Sequence, residues 1–252
     1  MEVHAHSHTA RKKWTHYFWE FLMLFLAVFC GFLAENQREH FIEHRREKEF
    51  MRSMLSDIRS DSAKLHLMHG IFSKVIMHID SLIPLLQDDM LPRESAGKIY
   101  RQSVYLNYFY KWNYTDRTID QLKNSGNFRL IRNKKVSDLI MEYDGYVKNF
   151  VGEMQDMYIL PQWKTLNETG TDIFRSSVFR KFLNAGLNNQ DQDIQIPAQP
   201  YFRSTDKNKI QRLVNLCEQY AVAVEWFNMN VKTAVAMAVK LDAAISNEYH
   251  LE

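Results

Sequence analysis

An uninterrupted apolar run near the N-terminus dominates the hydropathy pattern of the chain. No polar side chain occurs from Phe21 to Ala34, and an aromatic-rich approach beginning at Trp14 precedes this run. Together they make about 21 residues, which as a helix cross roughly 30 Å of hydrocarbon. The pattern therefore predicts a transmembrane helix over residues 14–34.

A cleaved signal peptide is the competing interpretation, because basic residues 11–13 precede the apolar run. Cleavage requires small residues one and three positions before the cut. Ala34 meets the first requirement, but Phe32 occupies the second position. A lipoprotein anchor at Cys30 is disfavoured in the same way, since Phe29 stands where a small residue should precede the cysteine. We therefore favour a retained span.

One face of the predicted span combines a carboxyl group with small side chains. At helical spacing this face, here called the span stripe, consists of Glu20, Leu24, Ala27, Gly31 and Ala34. Small residues four positions apart let two helices approach closely in a bilayer, so the span stripe is a candidate helix–helix interface. The alternative is chance composition, with Glu20 reaching water at the headgroup level.

The charges that flank the span nearly balance. Three Lys or Arg residues precede it in a basic, His-containing tail (residues 1–13), and four follow it in a charged juxtamembrane stalk (residues 35–49). Long domains cross the membrane regardless of such charges. We favour a single-pass protein of the inner (cytoplasmic) membrane, with a cytoplasmic N-terminus and a periplasmic domain.

Beyond the stalk, apolar residues recur at helical spacing and predict an all-α extramembrane domain over residues 50–252. The helix that begins in the span meets no Gly or Pro before Gly70, so it is expected to run that far and to pack only after about residue 50. A second long helix is predicted from Asp206 to Tyr249. Both carry apolar stripes, which predicts that they pack antiparallel in a helical bundle.

Shorter helices and breaks are predicted between the two long helices. The short helices are residues 95–110, 117–125, 134–158 and 173–183. The breaks are a turn region between Pro84 and Pro92, a corner at Gly126, an interruption between Pro161 and Gly170, and a long polar loop over residues 186–205.

Aromatic residues are concentrated between Tyr100 and Tyr114. Tyr100, Tyr105, Tyr108 and Trp112 either fill the core or line a ligand pocket. We favour the core, because aromatic residues at helical or strand spacing more often pack inside a domain. The alternation of aromatic and polar residues over 108–114 also suits an extended segment.

Composition and motifs argue against catalysis and nucleic-acid binding. The net charge is +2 with interspersed signs, whereas nucleic-acid binding requires a concentrated basic face. No phosphate-binding, dinucleotide-binding, hydrolase or zinc motif occurs, so we expect a non-enzyme without catalytic residues or cofactors. The two cysteines, Cys30 and Cys217, lie on separate predicted helices and suit no disulfide.

Histidines supply the only metal-ligand patterns. They are the tail residues His4, His6 and His8 and two helical pairs, His40 with His44 and His66 with His69. A closed zinc site requires three or four ligands, so two histidines on a helix face are insufficient and no metal site is predicted.

Two segments carry a family resemblance: KKWTHYFWEFLMLFLAVFCGFLAENQREHF (residues 12–41) and TIDQLKNSGNFRLIRNKKVSDLIMEY (residues 118–143). They resemble an uncharacterised family of single-span membrane proteins from Bacteroidota, classed only as a domain of unknown function. The resemblance implies membrane anchoring and bacterial origin. It brings no activity, cofactor or catalytic residue.

These patterns favour a non-enzymatic, membrane-anchored interaction or scaffold subunit. Its expected partners are the lipid bilayer and either further copies of the chain or a larger membrane complex. The alternative is a sensor-like helical ligand-binding domain that signals through a partner, since only about thirteen residues precede the span. A hydrolase that uses unmarked Asp, Glu or His residues is a third hypothesis, because such a site requires no motif.

Overall fold

The computed structural model describes residues 14–88, 93–187, 194 and 200–251. All regular secondary structure in these residues is helical. Within these residues no β-strand occurs, so the predicted all-α class is confirmed. The His-containing tail, Pro92 and most of the predicted polar loop lie outside the described residues.

Seven α-helices are assigned in the described residues, with two 3₁₀ turns and two π-helical segments between them. They are α1 (Trp14–Leu86), α2 (Arg93–Ser103), a 3₁₀ turn (Val104–Asn107), α3 (Arg117–Asn124), a 3₁₀ turn (Asn127–Leu130), α4 (Lys134–Tyr146), π-helical segments Val147–Glu153 and Gln155–Ile159, α5 (Leu160–Ile173), α6 (Ser176–Leu187) and α7 (Lys207–Tyr249). Internal contacts divide the chain into two units, Met1–Glu49 and Phe50–Glu252. This boundary falls where the predicted stalk ends.

Helix α1 continues past the end that the sequence analysis expected. Gly70 lies inside the helix in open space, and Pro84 lies in its last turns rather than in a turn region. The helix ends at Leu86. A single exposed glycine costs only about 1 kcal/mol in a helix interior, which tertiary packing readily offsets.

Helices α1 and α7 pack antiparallel in the second unit, as predicted. Arg59 Nε donates to Asp242 at 2.8 Å, and Nδ1 of His69 lies 2.8 Å from Oδ1 of Asn228. The Phe72 and Phe227 rings meet edge to face with centroids 5.3 Å apart. Since residue numbers rise along one helix as they fall along the other, the two run in opposite directions.

The predicted interruption at Pro161 is wrong. Helical structure continues from Lys134 to Ile173, and Pro161 lies in the first turn of α5, directly after the π-helical segments. A proline inside a helix removes one backbone hydrogen bond and crowds the preceding turn, and here it lies where the second π-helical segment meets α5. The helix ends instead at Phe174, which is extended and donates its N–H to the Gly170 carbonyl at 2.8 Å.

Candidate functional site

One helix in the described part of the chain is long and apolar enough to cross a membrane. Its most hydrophobic 18-residue window, near the N-terminus of α1, has a mean hydropathy of 2.0, and none of it is buried. By length and composition this segment could span a bilayer.

All five residues of the span stripe are exposed, and a methyl group at Gly31 would meet only open space. His16 Nε2 lies 2.9 Å from a carboxylate oxygen of Glu20. Elsewhere on the segment, Phe25 and Phe29 stack with ring centroids 5.9 Å apart. Among residues 14–49, the described part of its unit, no second helix lies against the span stripe, which therefore stays a prediction.

The four aromatic residues of the candidate pocket lie in three separate places. Tyr100 is fully buried among three phenylalanine rings, and its hydroxyl donates to the Tyr201 carbonyl and accepts from the Arg175 N–H, both at 2.9 Å. The rings around it are those of Phe174, Phe182 and Phe202. Tyr105 and Tyr108 are half-buried and stack at 4.9 Å, and Trp112 is buried separately.

A cavity of about 400 Å³ lies elsewhere, between the first 3₁₀ turn, α5 and α6. None of the four predicted aromatic residues lines it. Its walls are mainly apolar and its rim is polar; the walls include Leu106, Leu166, Phe174, Phe179 and Leu183, and the rim includes Asn107, Glu168 and Arg180. Its volume falls within the range of ligand pockets, roughly 300–1,000 Å³. Sequence analysis missed this cavity.

Two buried aspartates of α1 hold the segment that leads into α3. Asp57 accepts hydrogen bonds from Arg117 Nε at 2.6 Å and from the Thr118 N–H at 3.3 Å. Asp116 makes no capping hydrogen bond, so Asp57 supplies the acceptor that a helix N-terminus requires. Asp61 accepts from the Thr115 N–H at 3.1 Å, and burial raises the pKa of its carboxyl.

A third buried aspartate, Asp144 of α4, joins the same region. It accepts from the Tyr114 hydroxyl at 3.0 Å and from Lys148 at 3.1 Å, and it is also bonded by Lys123. Burial alone would raise the pKa of Asp144, but these hydrogen bonds outweigh burial and hold its pKa below the ordinary value. Burial strongly raises the pKa of Tyr114.

These carboxylates adjoin a polar cavity of about 370 Å³, whose lining includes Lys64 and Arg117. Buried titratable groups beside a cavity are what a hydrolase would require. Here, however, Lys64 already donates to Asp61, the Asn113 carbonyl and the Thr115 hydroxyl, and Arg117 is bonded to Asp57. The arrangement fastens chain segments to one another.

In the described part of the chain, no group of three or more His, Cys, Asp or Glu side chains is placed to hold a metal ion. His40 and His44 each face a glutamate on their own helix, at 4.0 and 3.3 Å. His69 is bonded to Asn228.

A second apolar surface escaped the sequence analysis. Helix α7 buries its apolar stripe in the core, yet its opposite face carries the exposed side chains of Val222, Trp226 and Met229. The sequence does contain this surface, as a second set of apolar positions on the predicted helix that became α7.

Comparisons with protein-family models, with curated proteins and with solved structures found no match. The family resemblance noted above therefore stays a prediction.

Proposed function

We propose that the protein is a non-enzymatic, membrane-anchored interaction or scaffold subunit of an oligomer or of a larger membrane complex. The observation that supports this most strongly is the exposed apolar segment at residues 14–34. Exposed apolar surface of this extent requires lipid or protein to cover it. The buried aromatic cluster and the internally paired aspartates also favour a structural over a catalytic domain.

The proposed location is the inner membrane of a bacterium, with a single span, a cytoplasmic N-terminus and a periplasmic domain. Cysteine accessibility in intact cells tests this orientation. A thiol introduced by Glu218→Cys, exposed on α7, should react with a membrane-impermeant maleimide added outside spheroplasts. Labelling only after lysis would refute the periplasmic placement.

Within the membrane, the proposed partner contact is the span stripe, with Ala27 and Gly31 at its centre. Single cysteines at these two positions, in a Cys30→Ser background, should crosslink between chains or to a partner. Matched cysteines replacing Phe25 and Phe29, which lie on another face, should not. Equal crosslinking on every face would mean that the stripe is an accident of composition.

The Gly31→Leu variant tests close packing directly. A larger side chain would push two helix backbones apart, and we expect association to weaken by on the order of 1 kcal/mol per contact. The measurement is dimer or complex dissociation in mild detergent as a function of dilution.

The test of the whole proposal is purification of the full chain from native membranes in mild detergent, with mass measured by light scattering. A species larger than one chain, or a reproducible co-purifying membrane protein, is expected. A monomer without a partner would refute the proposal.

The cavity beside α6 favours a second candidate function, that of a ligand-binding sensor domain. Its apolar walls suit a small apolar or amphipathic molecule. Native mass spectrometry of the chain extracted from its own membranes should then detect a bound small molecule. That signal should be lost in Leu166→Trp, which fills the cavity, and kept in Leu67→Trp, which replaces an exposed leucine on α1.

A further inference from the structure

The cavity of about 400 Å³ beside α6 is bounded by the first 3₁₀ turn, α5 and α6. The extended residue Phe174 lies between the two helices. The inner walls are core side chains, since Leu106, Leu166 and Phe174 are at most 4% exposed. Phe179 and Leu183 of α6 complete the apolar lining. Together these side chains leave a preformed apolar space of the kind that holds a small molecule.

Gly170 lines this cavity from within α5, where glycine is an unfavourable residue. Glycine destabilises a helix relative to alanine, because it loses more backbone freedom on folding. Packing among the described residues does not require it, since a methyl group built at Gly170 would meet only the Phe174 ring, at an ordinary contact distance of 3.6 Å. What the missing side chain provides is room in the cavity, and close approach of a ligand to the backbone is an established use of glycine.

The polar rim of the cavity carries two opposite charges, one on each helix. Glu168 lies six residues before Phe174 on α5, and Arg180 lies six residues after it on α6. Both side chains are exposed, and in the described part of the chain neither makes an ion pair or a side-chain hydrogen bond, with the other or with any third residue. A carboxylate and a guanidinium at one rim can therefore each accept the opposite charge of a ligand.

The volume of the cavity limits the size of that ligand. At about 30 Å³ for each water-sized group, a space of 400 Å³ holds on the order of a dozen non-hydrogen atoms. A free amino acid with a large apolar side chain has this size, whereas a phospholipid with two acyl chains is several times larger. The Phe174 and Phe179 rings in the lining suit an aromatic or aliphatic side chain.

We propose that this cavity binds a free amino acid with a large aliphatic or aromatic side chain. The side chain lies between the apolar walls, the carboxylate pairs with Arg180, and the ammonium group pairs with Glu168. At neutral pH such a molecule carries both charges. A ligand with only one charge would be attracted by one rim residue and repelled by the other. This inference rests on the second candidate function proposed above, because it names the ligand class of that cavity.

A matched set of ligands tests the charge requirement, by isothermal titration calorimetry of the full chain in mild detergent. L-phenylalanine should bind most tightly. Phenethylamine lacks its carboxylate and hydrocinnamate lacks its ammonium group, and each loss should weaken binding roughly 5-fold, the upper end of the range for an exposed ion pair. Free alanine, which keeps both charges but lacks the apolar side chain, should not bind detectably. Hydrocinnamate or phenethylamine binding as tightly as phenylalanine would overturn the inference.

Variants at the rim assign each charge to its partner. Arg180→Gln should weaken phenylalanine binding roughly 5-fold and should not weaken the binding of phenethylamine, which has no carboxylate to lose. Glu168→Gln should weaken phenylalanine binding to the same extent and spare hydrocinnamate. Arg212→Gln, which neutralises an exposed arginine of α7 outside the cavity, is the matched control and should bind like the parent. A rim variant that weakens phenylalanine and its spared ligand equally would overturn the role given to that residue.

Gly170→Ala separates a binding glycine from a structural one. The added methyl group takes up room in the cavity, and we expect phenylalanine to bind roughly 10-fold more weakly. The melting temperature should not fall, because alanine suits a helix better than glycine does. Gly145→Ala adds the same methyl group to α4, outside the cavity, and should leave binding unchanged. Unchanged phenylalanine binding in Gly170→Ala would refute the place given to the ligand.

The inference and the function on which it rests fail differently. If phenylalanine does not bind, but native mass spectrometry detects another small molecule that Leu166→Trp displaces, the amino-acid inference is refuted and the ligand-binding function stands. If neither experiment finds a ligand in the cavity, both are refuted.

Discussion

Gln155 should be among the most destabilising positions to change in the helical domain. Its side chain is completely buried within the second π-helical segment. The Trp112 N–H donates to its Oε1 at 2.7 Å, and its Nε2 donates to the Tyr110 carbonyl at 2.8 Å. One amide group thus satisfies two backbone groups of the extended segment that leads into α3.

The magnitude follows from what Gln155→Ala leaves behind. Two backbone polar groups lose their partners, and a buried group without a partner costs about 1–3 kcal/mol. The expected loss is therefore roughly 2–5 kcal/mol in the free energy of unfolding. For a domain of this size, about 2–4 °C per kcal/mol corresponds to a fall in melting temperature on the order of 5–15 °C.

Cys217 provides the assay, because its buried thiol becomes reactive only when the domain unfolds. In a Cys30→Ser background, a thiol-reactive fluorophore reports the melting temperature of the full chain in detergent. Gln155→Leu keeps most of the side-chain volume but restores neither hydrogen bond, so it should be nearly as unstable as Gln155→Ala. Gln121→Ala, an exposed change, should melt like the parent. A Gln155→Leu variant as stable as the parent would refute the hydrogen-bonding argument.

Three further predictions concern titration and backbone conformation. Burial raises the pKa of the Cys217 thiol to about 12, so maleimide should not label it in the folded chain; labelling at the rate of an unfolded control would contradict this. The pKa of Asp144 is lowered in the folded state, so its stabilisation is present above the unfolded pKa of about 4 and is lost as pH falls through the lower folded value. Urea unfolding should show Asp144→Asn less stable at pH 7 and less sensitive to acid, and an unchanged acid profile would count against this. Gly126 has a φ of 70°, so Gly126→Ala should cost about 1–2 kcal/mol. Gly145→Ala, in open space on α4, should stabilise by about 0.5–1 kcal/mol, and thermal melts giving both variants the same sign would contradict the distinction.

Features encoded locally were predictable from the sequence. Helix α7 was expected from Asp206 to Tyr249 and is observed from Lys207 to Tyr249. Asp206 caps it, accepting from the N–H groups of Asn208 and Lys209 at 2.9 and 3.0 Å. The corner at Gly126 was likewise expected, and this glycine is left-handed as the turn requires.

Features that depend on distant contacts were not predictable. The π-helical segments override the local signal of Pro161, and Gln155 within them is held by Tyr110 and Trp112, more than forty positions away. Asp57 caps a helix that begins sixty residues later. The cavity beside α6 combines walls from three separate elements. Hydrophobic periodicity carries no information about such pairings, because it reports only which side of a helix is apolar.

The antiparallel pairing of α1 with α7 has a consequence for biosynthesis. Contacts such as that between His69 and Asn228 join residues 159 positions apart, so the core cannot close until α7 has been made. While the intervening residues are being translated, α7 does not yet exist to cover the apolar face of α1. A nascent chain in this state exposes aggregation-prone surface, and its folding is slowed by the long loop that must close. The time needed to translate the residues between α1 and α7 therefore sets how long this face of α1 stays uncovered by α7.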